Sequence, residues 1–73
     1  MLGGEKNMNI NLLKSKMVLH GDGSKELAEA LNITRPCMSL KLNERTDFKQ
    51  YEIDIIIKRY DLTGDEIKEI FFS

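Results

Sequence analysis

The chain predicts an all-α domain of five short helices, and three observations carry that expectation. Apolar residues recur at three- and four-residue spacing in five separate stretches. Residues that cap or stop helices, such as Asn9, Gly21, Asn32, Thr34 and Thr63, stand between those stretches. The one strand-like run, Ile55-Ile56-Ile57, lies inside a segment where Ile53, Ile57 and Tyr60 keep helical spacing, so the helix outweighs the strand.

Taken in order, residues 1–9 contain Gly3-Gly4, show no periodicity and read as a flexible N-terminal segment; Met8 reads equally well as a start. Residues 10–73 read as a single domain. The first helix follows from Ile10, Leu13 and Met17, with Asn9 or Asn11 as its cap and Gly21 as its stop. The turn His20-Gly21-Asp22-Gly23-Ser24 offers three caps for a second helix over residues 25–31, where Ala28 permits close approach of a neighbour. Asn32 tolerates the left-handed conformation of a sharp helix exit, and Ile33 plugs the turn. Thr34 caps a third helix running to about Asn43, with Pro36 in the first turn, where a missing donor costs little. Residues 44–49 read as a polar loop. Gln50 to Tyr60 forms a fourth helix with Ile53, Ile56, Ile57 and Tyr60 on one face, and Thr63 caps a fifth helix whose apolar face is Ile67, Ile70 and Phe71.

At 73 residues, 41% hydrophobic and 32% charged, the chain has the composition of one small folded domain with a thin stability margin. Its lone Cys37 excludes an intrachain disulfide, and with the single His20 it cannot assemble a zinc site from the usual ligands. A reducing, cytoplasmic location is therefore expected. Apolar runs are far shorter than a membrane span or a signal-peptide core. His20 has no nucleophile partner, and Asp22-Gly23-Ser24 lacks the remaining oxygen ligands of a calcium loop. No enzyme, cofactor, metal or small-molecule substrate is expected. The formal net charge is -1, yet residues 1–50 hold eight Lys/Arg against six Asp/Glu and residues 51–73 hold three against six. A mildly basic body thus precedes an acidic end, and one face can meet phosphates.

The second and third helices, joined by a three-residue turn, fit a helix-turn-helix. That geometry requires a small residue where the helices cross, met by Ala28, and apolar residues to seal the angle, met by Leu27, Leu31, Ile33 and Met38. Over residues 10–72 the chain resembles the lambda-type repressor and Cro-like family, often called the XRE family. The likeness is carried by ELAEALNITR, SLKLN and DLTGDEIKEIFF. The resemblance implies an all-helical, lambda repressor-like domain that binds operator DNA, usually as a dimer, in a small phage-type transcriptional regulator. Two positions depart from it: the family usually has glycine where this chain has Asn32 and Glu44, and Glu44 brings a negative charge near the expected path of the phosphates.

At about 100° per residue, Met38 and Leu42 define the inward face of the third helix. Pro36, Ser39, Leu40 and Asn43 lie opposite, with Arg35 at the flank, and these five are the candidate base-contacting residues. Ser24, Lys25, Thr34, Lys41 and Arg45, at helix ends or in the adjoining loop, are the candidate phosphate contacts. Tyr51 and Ile55 form a second apolar stripe on the fourth helix, and with Phe72 they are the candidate homodimer interface, unless the first and fifth helices cover them. The second functional reading is a helix-turn-helix that docks a protein partner such as a repressor in place of double-stranded DNA, using Leu40, Pro36 and the C-terminal aromatics.

Overall fold

A computed structural model of the protein describes residues 8–72. They form five α-helices: α1 (Ile10–Leu19), α2 (Ser24–Leu31), α3 (Arg35–Leu42), α4 (Gln50–Tyr60) and α5 (Gly64–Phe71), with no strand among the described residues. The Ile55 to Ile57 run is helical, as its spacing indicated. The expected segment boundaries shift slightly, since α2 takes in Ser24 and α3 stops at Leu42 with Asn43 as its C-cap.

Burial explains the assembly. Leu13, Leu27, Leu31, Met38, Ile56 and Ile70 are completely enclosed, one or two from every helix. Each such side chain contributes about 1.5–3 kcal/mol by leaving water. α2 packs against both α3 and α4, and Ala28 is buried where a larger side chain would hold the neighbour off; α1 lies against α5. The start of the domain is tied down earlier than expected. Met8 packs on the core, and the Asn9 amide donates to the Ile70 carbonyl at 2.9 Å while its side chain caps α1. Asn9 therefore does not belong to a fraying segment, and the rest of that segment, residues 1–7, lies outside the described residues.

The first four helices end alike. Gly21, Asn32, Glu44 and Asp61 adopt positive φ of 75°, 59°, 59° and 50°. After each, the next amide reaches back to a carbonyl of the last turn: Asp22 to Met17 at 2.7 Å, Ile33 to Ala28 at 3.0 Å, Arg45 to Leu40 at 2.8 Å and Leu62 to Ile57 at 3.1 Å. This is the left-handed helix exit that satisfies otherwise orphaned carbonyls. Ile33 and Leu62 fold inward at these exits, which turns two stops into core anchors.

Residues 44–49 are not simply a polar loop. Phe48 is buried, edge-on to Phe71 with ring centroids 5.8 Å apart, and so pins the loop to α5. Beneath the loop, Lys41 Nζ meets Glu52 Oε1 at 3.1 Å, with side chains only 5% and 1% exposed.

A second polar tie joins the α1–α2 turn to α4. Arg59 donates from Nε and Nη2 to the two carboxylate oxygens of Asp22 at 2.6 and 2.9 Å, and the Tyr60 hydroxyl donates to Asp22 at 2.7 Å. Asp22 is thus a tie and not a helix cap. Gly23 holds the cap position, its amide donating to the Glu26 carboxylate at 2.8 Å. The Arg59 hydrogen bonds, with Tyr60 and against the cost of burial, hold the Asp22 carboxyl below its ordinary range. A depressed folded-state value means the stabilisation is complete above about pH 4 and is lost as pH falls through the lower, folded value. Thermal melts from pH 7 to pH 2 should show Asp22→Asn less stable by about 1–2 kcal/mol at neutral pH, converging on the parent at the acid end. A constant gap across that range would contradict the tie.

Candidate nucleic-acid interface

α3 begins where Thr34, in an extended conformation, accepts a hydrogen bond from the Cys37 amide at 3.3 Å on its hydroxyl oxygen. Pro36 falls in the first turn, where no backbone donor is needed. From there, Met38, Lys41 and Leu42 turn inward and are buried. Arg35, Pro36, Ser39, Leu40 and Asn43 all turn outward, and Leu40 is 46% exposed. The five candidate base-contacting residues therefore share one solvent-facing arc.

Two members of the arc are bonded to each other. Asn43 Nδ2 donates to the Ser39 carbonyl at 2.9 Å and to the Ser39 hydroxyl oxygen at 3.3 Å. The amide oxygen of Asn43 and the hydroxyl hydrogen of Ser39 are left to meet a ligand, so one acceptor and one donor project at the C-terminal end of α3. Arg35 supplies donors at the N-terminal end, and among the described residues its guanidinium forms no ion pair.

The expected phosphate contacts divide. Ser24, Lys25, Thr34 and Arg45 are exposed at helix ends or just beyond α3. Lys41 is the correction. Its ammonium is withdrawn into the Lys41–Glu52 pair and donates to the Asp47 carbonyl at 2.9 Å, so it cannot reach a phosphate while α3 keeps its place. The physical reason is its position three residues after Met38, on the buried side, where the carboxylate of α4 outcompetes solvent for it. The fold instead places Lys14 near the end of α3. Lys14 and Asn11 of α1 line a cleft with Asn43 and Glu44, directly beside the end of α3. Sequence spacing offered no signal for this approach, because α1 and α3 are remote in the chain.

Comparison with known protein families, characterised proteins and solved structures returns no match.

The expected dimer residues also divide. Tyr51 and Phe72 are 49% and 63% exposed. Ile55 is half-covered and packs on the core, so the stripe expected on α4 is narrower than its spacing suggested. A separate apolar pair, Val18 and Leu19 at the end of α1, is exposed at 77% and 75% and was not anticipated. Among the described residues no group of three or more His, Cys, Asp or Glu is placed to hold a metal ion, and no helix is long and apolar enough to cross a membrane.

Glu44 is the residue at odds with this surface. It is exposed, lines the same cleft as Lys14, and at φ 59° it occupies a backbone region that costs a non-glycine residue about 1 kcal/mol or more. Glu44→Gly should raise stability by up to about 1 kcal/mol in urea titration, the left-handed strain relieved outweighing the added unfolded-chain entropy. Unchanged or reduced stability would show that the carboxylate makes a compensating interaction at this turn.

Proposed function

We propose that this protein binds double-stranded DNA sequence-selectively through the outer face of α3, as a lambda repressor-like helix-turn-helix regulator acting at an operator. The observation that supports this most is the outward arc of α3. Arg35, Pro36, Ser39, Leu40 and Asn43 are freed of core duty together and combine a cation, polar groups and apolar surface on one helix. Eight residues of helix span about 12 Å, comparable with the width of the major groove. In this reading α2 and α3, joined by residues 32–34, are the helix-turn-helix, and α3 is the reading helix.

Each residue has a role that follows from its chemistry. Arg35 donates in bidentate fashion to guanine O6 and N7. Leu40 and Pro36 have no side-chain hydrogen bond to offer, so their preference is for the thymine methyl. Ser39 and Asn43 read the far end of the helix, and Ser24, Lys25, Thr34, Arg45 and Lys14 meet phosphates.

The burial of Lys41 and the presence of Glu44 favour a second reading, in which the same arc docks a protein partner by its apolar members. Selection from random duplexes at low and moderate salt separates the two. Three phosphate-facing cations per protomer, Lys25, Arg45 and Lys14, predict a log-log salt slope no steeper than about -5 for two protomers. Arg35→Ala should cost about 1–3 kcal/mol and relax choice at one guanine. Leu40→Ala should cost about 1 kcal/mol, and uracil in place of the contacted thymine should reproduce that loss without any change to the protein. No enriched duplex at any salt would remove the DNA reading and leave protein docking.

The proposed assembly is a two-fold dimer through Tyr51 and Phe72, with Ile55 at the edge. Its preferred site should be a palindrome with half-site centres about 10 bp apart. Phe72→Glu should yield monomers with weak half-site binding. A monomeric mass for the unaltered protein at tens of micromolar, both alone and on DNA, would exclude this dimer.

A further inference from the structure

A helix that rests on two side chains four residues apart is held along a line and can roll about it. α3 is in that position, because its buried apolar residues are Met38 and Leu42 alone. At about 100° per residue these two lie within about 40° of one another around the axis. Arg35 lies only about 20° beyond Leu42, so a small roll in one direction buries the guanidinium and a small roll in the other exposes Leu42. The packing of α2 and the Ile33 turn hold the N-terminal end of α3. Towards its C-terminal end the apolar anchors are non-directional, and a contact off their line fixes the angle there.

Lys41 lies on the opposite flank of Met38, about 100° from Leu42. Its ammonium is held at two points that belong to different segments, Glu52 Oε1 of α4 at 3.1 Å and the Asp47 carbonyl of the loop at 2.9 Å, with the Phe48 ring centroid 5.7 Å away. Glu52 is itself fixed, since the same Oε1 accepts the Lys49 amide at 2.7 Å as the cap of α4. Among the described residues Glu52 Oε2 is buried with no hydrogen-bond partner. An apolar pair at these two positions would bury without charges to desolvate, so what the ion pair adds is direction and not burial. Directional hydrogen bonds at an off-line third point supply what the apolar anchors lack.

We infer that Lys41 and Glu52 are positioning residues that set the roll of α3 and thereby decide which side chains it presents. The inference rests on the DNA-reading assignment of α3 for its functional consequence, and on α3 geometry alone for its physical core. Lys41 touches no ligand. It acts through Arg35 and Leu40.

The test is the paired substitution Lys41→Met with Glu52→Gln. Gln keeps an acceptor for the Lys49 amide, and the double variant leaves no lone buried charge, so it folds even where Lys41→Met alone does not. In the double variant, discrimination between the selected duplex and one altered at the Arg35-read guanine should fall about tenfold, with affinity for random duplex within twofold of the parent. Residual dipolar couplings of α3 amides relative to α4 should report a changed orientation. Full discrimination with unchanged couplings would overturn the inference. If the unaltered protein selects no duplex, the DNA reading fails on its own and the couplings alone decide: reorientation of α3 upholds the positioning role, and an unmoved helix ends it.

Discussion

The Lys41–Glu52 ion pair is the constraint on which the second half of the molecule depends. Three segments converge on it: the last turn of α3, the connection through Asp47 and Phe48, and the first turn of α4. Taking both charges out of water is costly, and the cost is offset by the Asp47 carbonyl, the Lys49 amide and the nearby Phe48 ring. Because Phe48 in turn packs on Phe71, the pair also conditions where α5 closes. Without it, α3 would be joined to the body mainly by two apolar side chains and its contact with α2.

A domain of this size has little core to spare, and its polar ties lie where the core is thinnest. Arg59 and Tyr60 grip Asp22 at the turn between α1 and α2, and Lys16 pairs with Glu66 between α1 and α5. The Lys16 ion pair lowers the Glu66 carboxyl from its ordinary range, aided by the Thr63 amide, just as Arg59 lowers Asp22. These ties join elements remote in the chain. The helix exits do the local work, with Ile33 and Leu62 carrying the chain from a left-handed turn straight into the core.

The distribution of cations bears on the proposed DNA contact more than net charge does. Lys16, Lys41 and Arg59 are held in ion pairs and are spent on the fold. Lys25, Arg35 and Arg45 stand exposed on or next to α2 and α3, and Lys14 joins them from α1. The proposed interface thus gathers exposed cations in a chain whose formal charge is -1, with Glu44 as an acidic intrusion at the end of α3. Such an interface favours base contacts over bulk phosphate attraction as the source of selectivity.

The sequence by itself determined the five helices, their stops and the side of α3 that faces out. Those features depend on neighbours within a turn or two: Thr34 and Thr63 accept from amides three residues on, Asn32 tolerates positive φ, and Met38 and Leu42 fall on one stripe while Leu40 falls opposite. Tertiary structure alone decided the fate of the ambiguous residues. Lys41 reads as a surface cation, and only the arrival of Glu52 from α4 makes its burial tolerable. Phe48 reads as part of a polar loop until Phe71 supplies a ring to meet it, and Asp22 reads as a cap until Arg59 and Tyr60 claim it. Lys14 reaches the end of α3 only because the helices pack as they do. The physical reason is common to all four: whether a charged or aromatic side chain is buried depends on a partner brought from elsewhere in the chain, and local spacing carries no information about which partner arrives.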